Sequence, residues 1–154
     1  MDKESIVASL RAQVQAQYER AVAALDGARE AATGDDTKAE SKYDTRGLEA
    51  SYLAAGQAEQ ADELSRAVTL LDSAEFPPYD FDDPIGPGAL IEVEKDEEIL
   101  NFLLAPAGGG LSLETEEGEL VTILGPAAPL RSDLMGRRAG EIVGDPPVAI
   151  LEVF

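Results

Sequence analysis

Residues 31–53 read AATGDDTKAESKYDTRGLEASYL, and the parsing of this stretch decides the fold. A helical pattern without proline approaches it from about Lys3 to Ala32, and a second leaves it from about Lys38 to Asp72. Thr33-Gly34 reads as a stop and Asp35-Asp36-Thr37 as a fresh start. Too few residues lie between them for anything but a reversal of direction. The expected local structure is a two-helix hairpin that turns at an acidic tip over residues 33–40.

Heptad spacing supports the hairpin. In the second helix Tyr43, Ala50, Gln57, Leu64 and Leu71 recur every seven residues, with Gly47, Ala54, Ala61 and Val68 as the partner row. These are the a and d rows of a coiled-coil seam. Small side chains dominate near the tip and large ones near the base, so the base is expected to carry most of the burial. In the first helix Ile6, Leu10, Val14, Tyr18, Val22 and Leu25 form the matching stripe. Helices of roughly 30 residues span about 45 Å, more than a compact body of this chain length would reach. Tyr52 is expected to pack between the helices.

Outward from the hairpin, residues 1–75 form the first domain. Ser73 to Gly88, SAEFPPYDFDDPIGPG, holds four prolines and two glycines, so residues 76–88 read as a linker. Phe76, Tyr79, Phe81 and Ile85 are expected to pack against a neighbouring element. Residues 89–154 make the second domain, where the period shifts to two. Ala89–Glu94, Ile99–Leu104, Leu111–Thr115, Glu119–Leu124 and Val148–Val153 read as strands, with Gly108–Gly110 and Glu117-Gly118 as turns. Pro129 to Arg138 reads as one short helix closed by Gly136 or Gly140. The class is α+β: a helical hairpin followed by a small antiparallel sheet with one short helix.

Composition narrows the function. Lys and Arg number 12 against 31 Asp and Glu, a formal net charge of -19 over 154 residues. Such a chain is repelled by phosphate backbones, so no free DNA binding is expected. A basic partner, or one carrying metal ions, is favoured instead. No cysteine or histidine is present, which removes thiolate chemistry, the usual general base and the commonest metal ligand. No apolar run approaches the roughly 18 residues of a membrane span, so a cytoplasmic protein is expected.

The candidate site begins at the tip. Asp35, Asp36 and Glu40 lie within about one helical turn, and such carboxylates suit a hard divalent cation like Mg²⁺, held mainly by Asp35 and Asp36. The same residues also suit a helix start, because Asp36 or Thr37 can act as N-cap and Thr37 and Glu40 have capping-box spacing. Lys38, Lys42 and Arg46 follow at intervals of four and make one basic stripe. That stripe serves either as a solvated face with helix ion pairs or as a contact for an RNA 3′ end or acidic walls. Tyr43 has room to stack on a base. Arg131, Arg137 and Arg138 are three of four basic residues after Ser73, a cation patch that reads either as an interface or as capping of the short helix.

With these residues in place, the chain resembles the bacterial Gre transcript-cleavage factor family over nearly its whole length. GDDTKAESKYDTRGLEASYL is similar to the family's Gly-Asp, acidic helix start and following tyrosine. PAAPLRSDLMGRRAGEIV is similar to the segment Ser-Pro-Leu-Gly-x-Ala-Leu-Leu-Gly-Lys-x-x-Gly-Asp. There Pro129, Leu130, Leu134, Gly136, Arg137, Gly140 and Glu141 fall on matching or similar positions. Gly88-Ala-Leu-Ile-Glu-Val resembles the strand that opens the second domain. The resemblance implies an FKBP-like second domain that docks on RNA polymerase, with Pro129, Leu130, Arg131, Arg137 and Arg138 in the docking region. It implies a hairpin entering the polymerase's secondary channel, with Mg²⁺ shared there and RNA met only inside that complex. It also implies a monomer that is not itself an enzyme.

Two departures bear on activity. Counting back from Tyr43, the family's first tip aspartate falls on Asp36, but its second acidic position falls on Ala39. Glu40 is adjacent yet points about 100° around the helix. The family's serine before the second-domain proline is Ala128, and its following glycine is at Arg131. The expectations are therefore three: channel occupation without chemistry, stimulation of cleavage of backtracked RNA through Asp36, or a structural or chaperone-like peptide-binding module unrelated to polymerase.

Overall fold

The computed structural model describes residues 1–33 and 46–154. Helix α1 runs over Lys3–Thr33 and α2 over Arg46–Ser73. The first start is capped by Asp2, whose Oδ1 accepts from the backbone N–H of Glu4 at 3.1 Å and of Ser5 at 3.4 Å. This satisfies two of the amides that a helix leaves without internal partners. The predicted start of the second helix near Lys38 lies outside the described residues.

Two packing units divide the molecule: residues 13–69, and residues 1–12 together with 70–154. The unit boundaries thus cut through both helices, whereas the change in composition falls near residue 75.

In the 13–69 unit the helices meet along the seam that the heptads predict. Ala21, Leu25 and Ala61 are buried together, with Val22, Ala58 and Leu64 half-buried around them. Gly47, Ala50, Ala54, Gln57 and Val68, in the same rows, are half-buried. Tyr52 departs from expectation: it is 71% exposed. The seam passes through Ala50 and Ala54, and two residues further along a helix is about 200° of rotation, so Tyr52 falls on the outer side.

In the other unit six strands follow: β1 Leu90–Lys95, β2 Glu98–Leu104, β3 Ser112–Glu114, β4 Leu120–Leu124, β5 Ile142–Val143 and β6 Val148–Val153. A short helix, α3 Pro129–Leu134, lies between β4 and β5. The sheet order is β3-β4-β2-β1-β6-β5. All pairings are antiparallel except β2 with β4, which is parallel because the β3–β4 hairpin returns its second strand beside β2. The two-residue strand β5 was not anticipated from sequence.

One sheet face packs with α3 around Ile91, Val93, Leu104, Leu134, Val148 and Ile150. On the other, Leu90, Leu103, Val121 and Ile123 are also fully or nearly fully buried. Burial of both faces is what lets a module of about 65 residues hold a core. β1 turns into β2 through Asp96 (φ 53°) and Glu97 (φ 65°), the left-handed pair that a two-residue hairpin demands, here without glycine.

The linker 74–89 has no helix or strand, as its prolines dictate. Ile85 is buried, Phe76 lies under the Arg11 guanidinium and Tyr79 donates to the Pro87 carbonyl at 2.8 Å. Phe81 is the exception at 63% exposed. It sits in a turn closed by Asp83 and Asp80, where the Asp83 amide donates to the Asp80 carbonyl and the ring faces outward. Gly88, at φ 83°, is required twice over, since a Cβ there would stand 2.7 Å from the Glu75 carbonyl oxygen.

Candidate functional site

The tip residues Asp35, Asp36, Lys38, Glu40, Lys42 and Tyr43 lie outside the described residues, and Arg46 is the first residue of α2. Among the described residues no cluster of carboxylates is arranged to hold a metal ion.

The second-domain residues are all placed. Pro129 opens α3, where its missing N–H costs nothing and its fixed φ favours the helix. Leu130 is half-buried against the α3-side core, and Leu134 is fully buried. Gly136 follows at φ 78°, and its amide donates to the Ile85 carbonyl at 2.8 Å. Of the two glycines proposed from sequence to close this helix, Gly136 is the one that does so. The Ile85 amide in turn donates to the Arg137 carbonyl at 2.7 Å, which fastens the linker to the end of α3.

The three arginines do not converge on a single point. Arg131 Nη1 donates to the carbonyls of Ala105 at 2.7 Å and Leu124 at 3.1 Å, bracing two loops. Arg138 Nε donates to the Asp82 carbonyl at 2.9 Å, and its amide to Glu141 Oε2 at 2.6 Å. Arg137 Nη1 stands 3.7 Å from Glu141 Oε1, a half-exposed pair worth little to stability. The three guanidinium groups therefore go to different partners: Arg137 to Glu141, Arg138 to the Asp82 carbonyl and Arg131 to the Ala105 and Leu124 carbonyls.

Beside Leu130 lies a cleft of about 200 Å³ with apolar walls from Leu100, Phe102 and Val148. Lys95, Asp133 and Asp145 line it as well. The cleft is mixed in character, with apolar walls and charges of both signs.

Sequence reasoning missed Lys3 and Arg11. Arg11 Nε donates to the Leu71 carbonyl at 3.0 Å and Nη2 to that of Ala74 at 3.1 Å. The last turn of α2 has no basic residue of its own, so α1 supplies the cation that its C-terminal carbonyls favour. Lys3 Nζ donates to the Pro77 carbonyl and to the main-chain oxygen of Phe154, and lies 5.2 Å from the Tyr79 ring centroid. Burial lowers its pKa from 10.5 to about 8. The Tyr79 hydroxyl is pushed above its usual range, first by burial and then by the Asp83 carboxylate. Spacing along the chain could not have found these contacts, because the acceptors lie 60 to 151 residues away. Asn101 was also missed: it is 7% exposed, and its Oδ1 has no partner among the described residues.

No family model matches the chain, and no curated protein does. Among solved structures the chain is similar to GreA factor homolog 1 (Gfh1) of Thermus thermophilus, at 18% identity over 94% of each chain with a TM-score of 0.36. It is similar to a second structure of the transcription factor Gfh1 at 20% identity, over 93% of this chain and 92% of that one, TM-score 0.38. Gfh1 of Thermus aquaticus gives 16% identity over 92% and 91%, TM-score 0.35. Likeness at this level says nothing about what the chain binds or does. No helix among the described residues is long and apolar enough to cross a membrane.

Proposed function

We propose that the chain is a Gre-like regulator of transcription that docks on RNA polymerase through its sheet domain and offers its hairpin tip to the secondary channel. The observation that carries this reading is the pairing of two long helices, 31 and 28 residues, with the acidic segment GDDTKAE placed between them. A second support is that Pro129 to Glu141, which resembles the family's second-domain segment, folds as the short helix and positive-φ glycine turns that its residues call for. The protein is not an enzyme in this reading. It works on the polymerase, meets RNA only there, and acts as a monomer in the cytoplasm.

Ala39, at a position where the family has an acid, favours occupation of the channel over chemistry. Asp35, Asp36 and Glu40 are nevertheless hard oxygen donors of the kind that suits Mg²⁺. If shared with the polymerase, that ion would supply charge stabilisation for phosphodiester hydrolysis. The separating experiment adds purified protein to backtracked elongation complexes and compares the parent with Asp36→Ala. An occluding factor changes elongation or initiation equally in both forms and releases no cleaved RNA. A cleavage factor releases 3′ fragments that Asp36→Ala abolishes. If neither form affects the complexes, the polymerase reading fails. The cleft beside Leu130 would then favour the alternative, a peptide-binding module.

A further inference from the structure

The sheet face opposite α3 carries a row of oxygen donors on neighbouring strands. Asn101 of β2 stands directly opposite Glu92 of β1, and Glu92 stands directly opposite Glu152 of β6. Directly opposed residues share a face, with Cβ atoms about 4.5–5.5 Å apart. Counting from the Lys95–Glu98 pair that closes the turn, Glu92 and Asn101 form a non-hydrogen-bonded pair, the kind whose side chains approach more closely. Asn101 is 7% exposed, and its Oδ1 is buried without a hydrogen-bond partner among the described residues. Its other neighbours in the row and along the strand are Val121, Ile99 and Leu103, all apolar. The polar side of this amide is therefore the side of Glu92. We propose that Glu92, Asn101 and Glu152 form a binding site for a divalent cation, taking Ca²⁺ in preference to Mg²⁺.

Charge favours a cation over a neutral donor at this row. Opposed carboxylates repel each other. Neither Glu92 nor Glu152 makes a hydrogen bond or ion pair among the described residues. The net charge of -19 adds to the repulsion. A neutral donor would satisfy the amide oxygen and leave that repulsion in place, whereas a cation relieves both. Two carboxylates alone fall short of a metal-holding cluster, and the amide oxygen is the third donor. All three are hard oxygens. Ca²⁺ accepts about six to eight such ligands in flexible geometry, so side chains fixed on three strands can hold it while water completes the shell. Mg²⁺ demands near-ideal octahedral geometry and sheds its water reluctantly. Burial falls along the row from Asn101 through half-buried Glu92 to exposed Glu152, which leaves the ion an open approach. Bound there, it would tie β2, β1 and β6 together.

The test titrates the isotope-labelled 154-residue chain with CaCl₂ or MgCl₂ at constant ionic strength and follows each backbone amide by NMR. Ca²⁺ is expected to shift the amides of Glu92, Asn101 and Glu152 with half-saturation near about 1 mM, and Mg²⁺ to act at least about tenfold more weakly. Glu92→Gln, or Glu152→Gln at the exposed end, should weaken the Ca²⁺ response at least about tenfold. In EDTA, Glu92→Gln should raise the unfolding midpoint, because it removes one of two opposed charges. In saturating Ca²⁺ the order should reverse, with the parent the more stable. A purely structural role for Glu92 predicts no such crossing. Shifts that grow without saturation, or that stay outside the row, would overturn the proposal. So would equal responses to the two ions, or a response at the row that survives Glu92→Gln. Because the readout needs no polymerase, its failure is independent of the functional reading above.

Discussion

The hairpin and the sheet domain bury apolar surface in opposite ways. In the 13–69 unit the buried apolar residues among those described are Val14, Ala21, Leu25, Ala28 and Ala61, with Val22, Ala58 and Leu64 half-buried around Ala21, Leu25 and Ala61. In the sheet unit eleven buried residues join α3 to one face alone. Alanine seams let helices approach closely but remove little area from water, so each contact contributes little. The sheet unit has the thicker core. The hairpin has a thin core, most of it alanine.

This contrast can be broken by substitution. The largest effect is expected at Leu134, which is fully buried: Leu134→Ala should destabilise the sheet unit by about 3 kcal/mol, read by denaturant unfolding. Leu25, at 8% exposed and flanked by alanines, should cost less, about 2 kcal/mol for Leu25→Ala. Its loss should appear as faster amide exchange within 13–69 while the strands keep their protection. Equal damage to both units from Leu25→Ala would contradict two separate packing units.

A smaller and opposite change is expected in the β1–β2 turn. Glu97 holds φ 65° without being glycine, so Glu97→Gly should raise the stability of the sheet unit by about 0.5–1 kcal/mol. A drop in the unfolding midpoint would show that the turn is not under this strain.

The smallest effect concerns pH. Lys3 titrates near 8 when folded against 10.5 for a solvated lysine, so between those values the unfolded chain binds more protons and stability rises with pH. Tyr79 acts in the opposite sense above about 10, because its folded form keeps the proton longer. The unfolding midpoint should therefore rise modestly from pH 8 to 10 and then stop rising. Lys3→Met should flatten the rise, and a rise of equal size in that variant would remove Lys3 as its source.

Local pattern carried much of the architecture. The absence of proline from Lys3 to Ala32 placed α1, and the heptad rows placed the seam, since both depend only on residues a few positions apart. Period-two alternation located the major strands for the same reason. Strand order was not legible: nothing in Leu120–Leu124 says that it lies parallel to β2, because that follows from where the β3–β4 hairpin docks. Tyr52 misled because its aromatic character suggested burial while its helical phase put it outside. Arg131 was read as interface or helix cap, yet it braces the Ala105 and Leu124 carbonyls, acceptors that no local motif announces. Lys3 and Arg11 escaped for the same reason. Asp35, Asp36 and Glu40 lie outside the described residues, and their role is read from sequence alone.

Engagement of RNA polymerase is the proposed role that most needs a direct test. The direct measurement passes the 154-residue chain over immobilised core RNA polymerase, with and without excess free core enzyme as competitor. Saturable retention that the free enzyme removes, and that a charge placed in the α3 cleft by Leu130→Asp weakens, is the predicted result. A chain that elutes unretained while still showing its folded far-UV spectrum would contradict polymerase engagement.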